Sequence, residues 1–180
     1  MNTHWLNPAF LMPLVEISPG AQTDRPALDS ALALLRRAGK VPVTTSASPG
    51  YIVPRLQTLV MNEATRMLEE GVASADDIDT ASRVGFGLRF AVLGVIEFID
   101  WGGLDTLERA GRYFTSEIDE QRFEPPEILA SHLAQGWTGM NAGRGLRELD
   151  ADASDAVVRE RTATFVALLR HLGLLPSPSL

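Results

Sequence analysis

His4-Trp5-Leu6-Asn7-Pro8-Ala9-Phe10-Leu11-Met12-Pro13-Leu14-Val15-Glu16-Ile17 is the stretch on which the reading of the fold turns. Trp5-Leu6 and Leu14-Val15-Glu16-Ile17 are short apolar runs, and Pro8 and Pro13 bound the bend between them, as in two short strands joined by a turn. Outward from there, Thr23 to Ala38 carries Leu28, Ala31, Leu32 and Leu35 at helical spacing. Thr23 or Asp24 can cap that helix, Pro26 suits its first turn, and Gly39 stops it. Val41-Pro42-Val43 then reads as a third strand. Residues 1–49 are therefore expected to fold as strand, strand, helix, strand. This is the tail of an α/β unit, since a doubly wound sheet needs several more strands, and bare sheet edges are a liability.

Residues 50–180 read as a second, helical domain. Leu56, Val60, Ala64, Met67 and Leu68 form an apolar stripe that Gly71 ends. Ser74 with Asp77 resembles a capping box, with Asp in place of Glu, and Ile78, Ala81 and Val84 continue that helix. The run Phe90 to Ile99 is strongly apolar and short, and predicts a buried helix. Further helices are expected over Leu104 to Phe114, from Pro125-Pro126 through Leu133, and from about Ser154 to Leu172, with a glycine-rich turn from Gly136 to Gly145. The expected class is mainly α, with a short residual α/β segment in front.

Composition narrows the function classes. The chain is 45% hydrophobic and 22% charged, enough apolar material for a core. Its net charge is -7 and no Lys/Arg-rich run occurs, which argues against nucleic acid and anionic membranes as partners. No apolar stretch reaches the roughly 18 residues of a membrane span. The first residues have no basic region or cleavage site of a signal peptide, so a cytoplasmic protein is expected. With no cysteine, thiol catalysis, disulfides and thiolate metal sites are excluded. The three histidines, His4, His132 and His171, include no i, i+4 pair, so no metal site is expected. His132 and His171 read as surface or helix-end residues. Gly85-Phe86-Gly87 and Gly143-Arg144-Gly145 read as turns and caps, because neither forms a G-x-G-x-x-G loop between strand and helix. Asp76, Asp77 and Asp79 read as an acidic first helical turn, favourable for the helix dipole.

His4 and Glu16 differ from the rest in position. A strand, a bend and a returning strand can bring an imidazole and a carboxylate together. In such a pair the carboxylate holds the proton of one ring nitrogen, and the other nitrogen is left to accept a proton. A lone histidine followed by a glutamate is nonetheless common, and spacing alone leaves the pair one possibility among several.

The ordered set of motifs adds a resemblance. His4-Trp-Leu-Asn7-Pro8 followed by Leu14-Val15-Glu16 is similar to the His-x-x-Asn-Pro … Leu-Val-Glu segment of the 3-hydroxyacyl-CoA dehydrogenase family. Gly39-Lys40-Val41-Pro42-Val43 with Pro49-Gly50-Tyr51-Ile52-Val53 resembles the segment that joins that family's two domains. Asn62-Glu63-Ala64, Glu70-Gly71-Val72-Ala73-Ser74, Gly85-Phe86-Gly87-Leu88-Arg89 and Glu97-Phe98-Ile99-Asp100-Trp101 continue the match. The resemblance covers essentially the whole chain. It implies an NAD-dependent oxidoreductase of fatty-acid metabolism, with an N-terminal Rossmann domain and a helical C-terminal domain that forms a homodimer. By this match His4 is the general acid/base, Glu16 its orienting partner, and Asn7 lies beside the dyad.

Three departures shape the expectations. Met1 stands three residues before His4, so the chain is expected to lack the pyrophosphate loop and the upstream serine, and to be inactive without an NAD domain. Pro54 stands where the acyl-CoA enzymes carry a substrate-contacting asparagine, and proline donates no hydrogen bond. The family's Gly-x-Gly-Phe-Tyr stretch is Gly143-Arg144-Gly145-Leu146-Arg147 here. The resemblance therefore implies either an acyl-CoA substrate or, as in other branches of the superfamily, a small alcohol such as carnitine, a sugar acid or a hydroxymethyl-pyridine acid. Two non-catalytic alternatives are a stand-alone helical dimerisation module and a small-molecule binding protein.

Overall fold

The computed structural model describes residues 1–148 and 154–175. Strands β1 (Asn2–Trp5), β2 (Leu14–Ser18) and β3 (Val41–Thr44) form one sheet in the order β1-β2-β3. β1 runs antiparallel to β2 and places His4 opposite Glu16, and β3 runs parallel to β2 with Val43 opposite Glu16. The central strand carries the burial: Val15, Glu16 and Ile17 are fully buried. Because side chains alternate across a strand, Val15 and Ile17 share one face and Glu16 points to the other.

Helix α1 (Arg25–Arg37) makes the crossover from β2 to β3. Asp24 is its cap, accepting from the Ala27 amide at 2.8 Å, while the Thr23 hydroxyl accepts from the Gly20 amide. Of its apolar face Leu35 is buried, and Leu28, Ala31 and Leu32 are partly covered. Lys40, just after α1, donates to the carbonyls of Ala9 and Met12 at 2.6 and 2.9 Å and lies 5.8 Å from the Trp5 ring centroid. It thus pins the connection between β1 and β2. Helix α2 (Val53–Glu69) follows, with Pro54 in its first turn. The chain divides into two compact units, Met1–Ala75 and Asp76 onward, and α2 belongs to the first.

The second unit is helical: α3 (Ala75–Ala81), a π-helical segment (Ser82–Gly87), α4 (Leu88–Val92), α5 (Val95–Gly102), α6 (Leu104–Glu117), α7 (Glu120–Phe123), α8 (Glu127–Leu133) and α9 (Ser154–His171). α6 packs against α5, α7 and α8, and α9 packs against α4. Leu93, Leu104 and Leu129 are its buried apolar residues. Two expectations are corrected here. Gly85-Phe86-Gly87 is the end of the π-helical segment rather than a turn; a Cβ at Gly87 would come within 2.8 Å of the Ser82 carbonyl, so the wide turn needs glycine there. The run Phe90 to Ile99 is two helices, because Leu93 is extended (φ -109°, ψ 132°) and Gly94 caps α5. The buried side chain at the break is Leu93, and the helices on either side contribute only Asp100 to the buried set.

Asp100 ends up with no exposure. Its carboxylate accepts from the Leu146 amide at 2.7 Å and from Arg147 Nε at 3.0 Å. The glycine-rich segment wraps tightly on it: a Cβ at Gly139 (φ 119°) would overlap the Asp100 carbonyl, and one at Gly145 would overlap its carboxylate. One turn earlier on α5, Glu97 accepts from Arg161 Nε on α9 at 2.9 Å, and this bond holds the guanidinium's pKa above its usual value.

Candidate active site

The pairing of β1 with β2 puts His4 and Glu16 directly opposite each other on the same face, where facing side chains meet. His4 Nδ1 lies 2.8 Å from Glu16 Oε2. The other carboxylate oxygen, Oε1, accepts from the amides of Ile52 and Val53 at 2.8 and 3.0 Å. These two N–H groups belong to the start of α2, where the backbone donors have no partner inside the helix and the dipole favours a negative charge. Three donors thus meet a carboxylate that would otherwise be costly to bury.

Their balance sets its charge. Burial opposes ionisation of Glu16, but the hydrogen bond from His4, the amides of Val53 and Ile52, and the charge of His4 outweigh it and hold the carboxyl below its ordinary value. At neutral pH Glu16 is therefore a carboxylate, which only accepts, so His4 Nδ1 carries the proton. In the neutral ring Nε2 then keeps its lone pair, and no hydrogen bond reaches it from the described residues. The imidazole is 32% exposed, enough for a ligand to approach.

The depressed carboxyl carries a stability prediction. Glutamates of the unfolded chain titrate near about pH 4.3, above Glu16 in the fold. Its contribution is complete above that value and is lost as pH falls through the lower folded value. Thermal melts from pH 7 to 3 are expected to show a steeper acid loss for the wild type than for Glu16→Gln. Parallel acid limbs would contradict the assignment.

The other two predicted site residues stand differently. Asn7 is exposed two residues beyond β1, its peptide bond to Pro8 is cis, and its side chain makes no hydrogen bond among the described residues. Pro54 directly follows the amides that bind Glu16 and has no N–H to add to them. What sequence reasoning passed over is the turn before α2. Gly50 (φ 81°) and Tyr51 (φ 49°) are both left-handed, and the Tyr51 ring stacks on the His4 imidazole at 5.2 Å between centroids, 21° from parallel. The glycine was the available signal.

The model of the 3-hydroxyacyl-CoA dehydrogenase C-terminal domain matches residues 50–149, and the model of that family's NAD-binding domain matches residues 1–48. The chain belongs to the 3-hydroxyacyl-CoA dehydrogenase family. Among its relatives, the mitochondrial hydroxyacyl-coenzyme A dehydrogenase of Sus scrofa is 35% identical over 144 residues, 79% of this chain and 45% of the relative. The 5-formyl-3-hydroxy-2-methylpyridine 4-carboxylate 5-dehydrogenase of Mesorhizobium japonicum is 27% identical over 94% of this chain and 55% of its own length. The crystal structure of a 3-hydroxyacyl-CoA dehydrogenase from Archaeoglobus fulgidus superposes with a TM-score of 0.80 at 34% identity, covering 96% of this chain and 59% of that one. The chain thus spans about half the length of the curated relatives it matches.

The family is NAD-dependent, but the described residues do not fit the dinucleotide's pyrophosphate. Two helices follow a strand here, and each has its N-terminus filled by the chain's own carboxylate: Asp24 at α1 and Glu16 at α2. A bound phosphate would meet negative charge at both, where a dinucleotide site presents free amides. Among the described residues no group of three or more histidine, aspartate or glutamate side chains could hold a metal ion, and no helix is long and apolar enough to cross a membrane.

Proposed function

We propose that this chain is the proton-handling and substrate-binding portion of an NAD-linked dehydrogenase that oxidises an alcohol, with His4 as general base and Glu16 holding its tautomer. The observation that carries the reading is the carboxylate bound on one oxygen by two helix-end amides and on the other by His4 Nδ1. That arrangement leaves Nε2 to take the proton of a substrate hydroxyl, and to return it in the reverse direction. NAD would supply the hydride acceptor, and none of the described residues is assigned to hold it. Asn7, two residues beyond the strand that carries His4, is read as a substrate-side residue. Pro54 supplies no donor at the position that the acyl-CoA enzymes use, which favours a small hydroxy acid over an acyl-CoA thioester.

The test is to join the nucleotide-binding domain of a family member upstream of Met1 and follow NADH formation with acyl-CoA and small hydroxy-acid substrates. No turnover with any alcohol would overturn the reading.

Homodimerisation through the helical part belongs to the same proposal. No residue of α2 is buried, and of its apolar stripe Leu56, Val60 and Leu68 are 43%, 40% and 49% exposed. Apolar area of this kind marks an interface. Light scattering is expected to give twice the 19.5 kDa chain mass, and Val60→Asp to halve it. A wild-type monomer would remove this part of the proposal.

A further inference from the structure

Tyr51 is the one non-glycine residue with positive φ among the described residues. Such a conformation is disfavoured for a bulky side chain, and glycine or asparagine would fill it at lower cost. A strained residue at a site is a pointer to function, and here the strain aims an aromatic ring. The turn that bends at Gly50 and Tyr51 delivers the Tyr51 ring onto the face of His4 and, in the next two residues, the amides of Ile52 and Val53 onto Glu16. Both members of the dyad are therefore held by one turn.

The geometry of His4 shows what the ring adds. His4 sits on an outer strand, and its imidazole has one hydrogen bond among the described residues, from Nδ1 to Glu16. A single hydrogen bond fixes one axis and leaves the ring free to swing about that axis. A near-parallel ring 5.2 Å away blocks the swing.

We propose that Tyr51 is a positioning residue: its ring, held in a left-handed turn, clamps the imidazole plane of His4 so that Nε2 is presented to substrate at a fixed angle. The proposal rests on the His4–Glu16 dyad reading, and the two are separable in one set of measurements. The 180-residue chain is labelled with 15N and 13C, and the His4 ring is followed by NMR. In parallel, its rate of carbethoxylation by diethyl pyrocarbonate at pH 7 is followed by peptide mass. His171 serves as the internal reference for the shifts, and both His132 and His171 for the reaction rate; His132 lies edge-on to the Trp137 ring at 5.0 Å and carries a ring-current displacement of its own.

In the wild type the His4 ring protons are expected upfield of those of His171, and His4 is expected to react slowly for its exposure. Tyr51→Phe keeps both signatures. Tyr51→Leu and Tyr51→Gly lose the upfield displacement and raise the His4 rate severalfold, with the reference histidines unchanged. For Tyr51→Gly this occurs without loss of melting temperature, since glycine relieves the turn. His4 signatures that are the same in the Leu and Gly variants as in the wild type would overturn the proposal and leave Tyr51 a turn residue. The dyad is read separately from the 15N shifts of the wild-type ring: a neutral His4 with its proton on Nε2 rather than Nδ1 would sink the dyad reading whatever the Tyr51 variants show.

Discussion

His4→Ala is expected to lower the turnover of the domain-completed enzyme by about a hundred- to ten-thousandfold, the usual contribution of a positioned acid/base group. The loss should fall on kcat more than on KM, because Nε2 meets the hydroxyl proton as it leaves. Glu16→Gln should cost about a hundredfold or more by another route. A glutamine at this position presents one oxygen and one NH2. With the oxygen toward Ile52 and Val53, the NH2 faces Nδ1 and drives the proton to Nε2, which removes the base. With the oxygen toward His4, the NH2 faces two backbone donors. The first arrangement satisfies every donor but takes the proton off Nδ1, and the second leaves two buried backbone donors without their acceptor. Full activity in His4→Ala would end the assignment of His4. Full activity in Glu16→Gln would reduce Glu16 to a helix cap.

The second large effect is on stability. Asp100→Ala should destabilise the second unit by about 3 kcal/mol, since it leaves the Leu146 amide without its acceptor and opens a void under the glycine-rich segment. Arg147 is 43% exposed, so its share of that figure is small. Gly145→Ala should cost a similar amount by pushing a methyl group into the same carboxylate. The two substitutions break one contact, so the double variant should fall well short of the sum. Urea unfolding followed by the fluorescence of Trp101 and Trp137 measures all three, and simple additivity would show that Asp100 and Gly145 act independently.

Much of this molecule could be read from its residues. Short apolar runs marked all three strands, although β1 covers Asn2–Trp5 and meets its run only at Trp5, and the proline-bounded bend foretold that β1 returns along β2. The spacing made the meeting of His4 and Glu16 possible, and the pairing register shows them face to face. The parts that stayed hidden share a physical cause. The donors that bind Glu16 are backbone amides, which any residue type supplies, so Ile52 and Val53 carry no mark of the task. Tyr51 occupies a conformation its residue type disfavours, and type-based reading assigns it elsewhere. The π-helical turn and the break at Leu93 are backbone events inside apolar, helix-like sequence, and glycines at 85, 87 and 94 were their trace. Asp100 looked like one residue in a helical motif, because its partners lie some 46 residues further along the chain.

The way Glu16 is held bears on how this chain can be recombined. The matched family models meet between residues 48 and 50, the natural place for a protein engineer to splice one nucleotide-binding domain onto another helical body. Yet the carboxylate at position 16 and the amides at 52 and 53 that ionise it lie on opposite sides of that seam. A chimera cut there brings together a carboxylate and a turn that were never fitted to each other. A crossover placed after α2, near Ala75, moves the carboxylate, imidazole, stacking ring and both amides as one cassette.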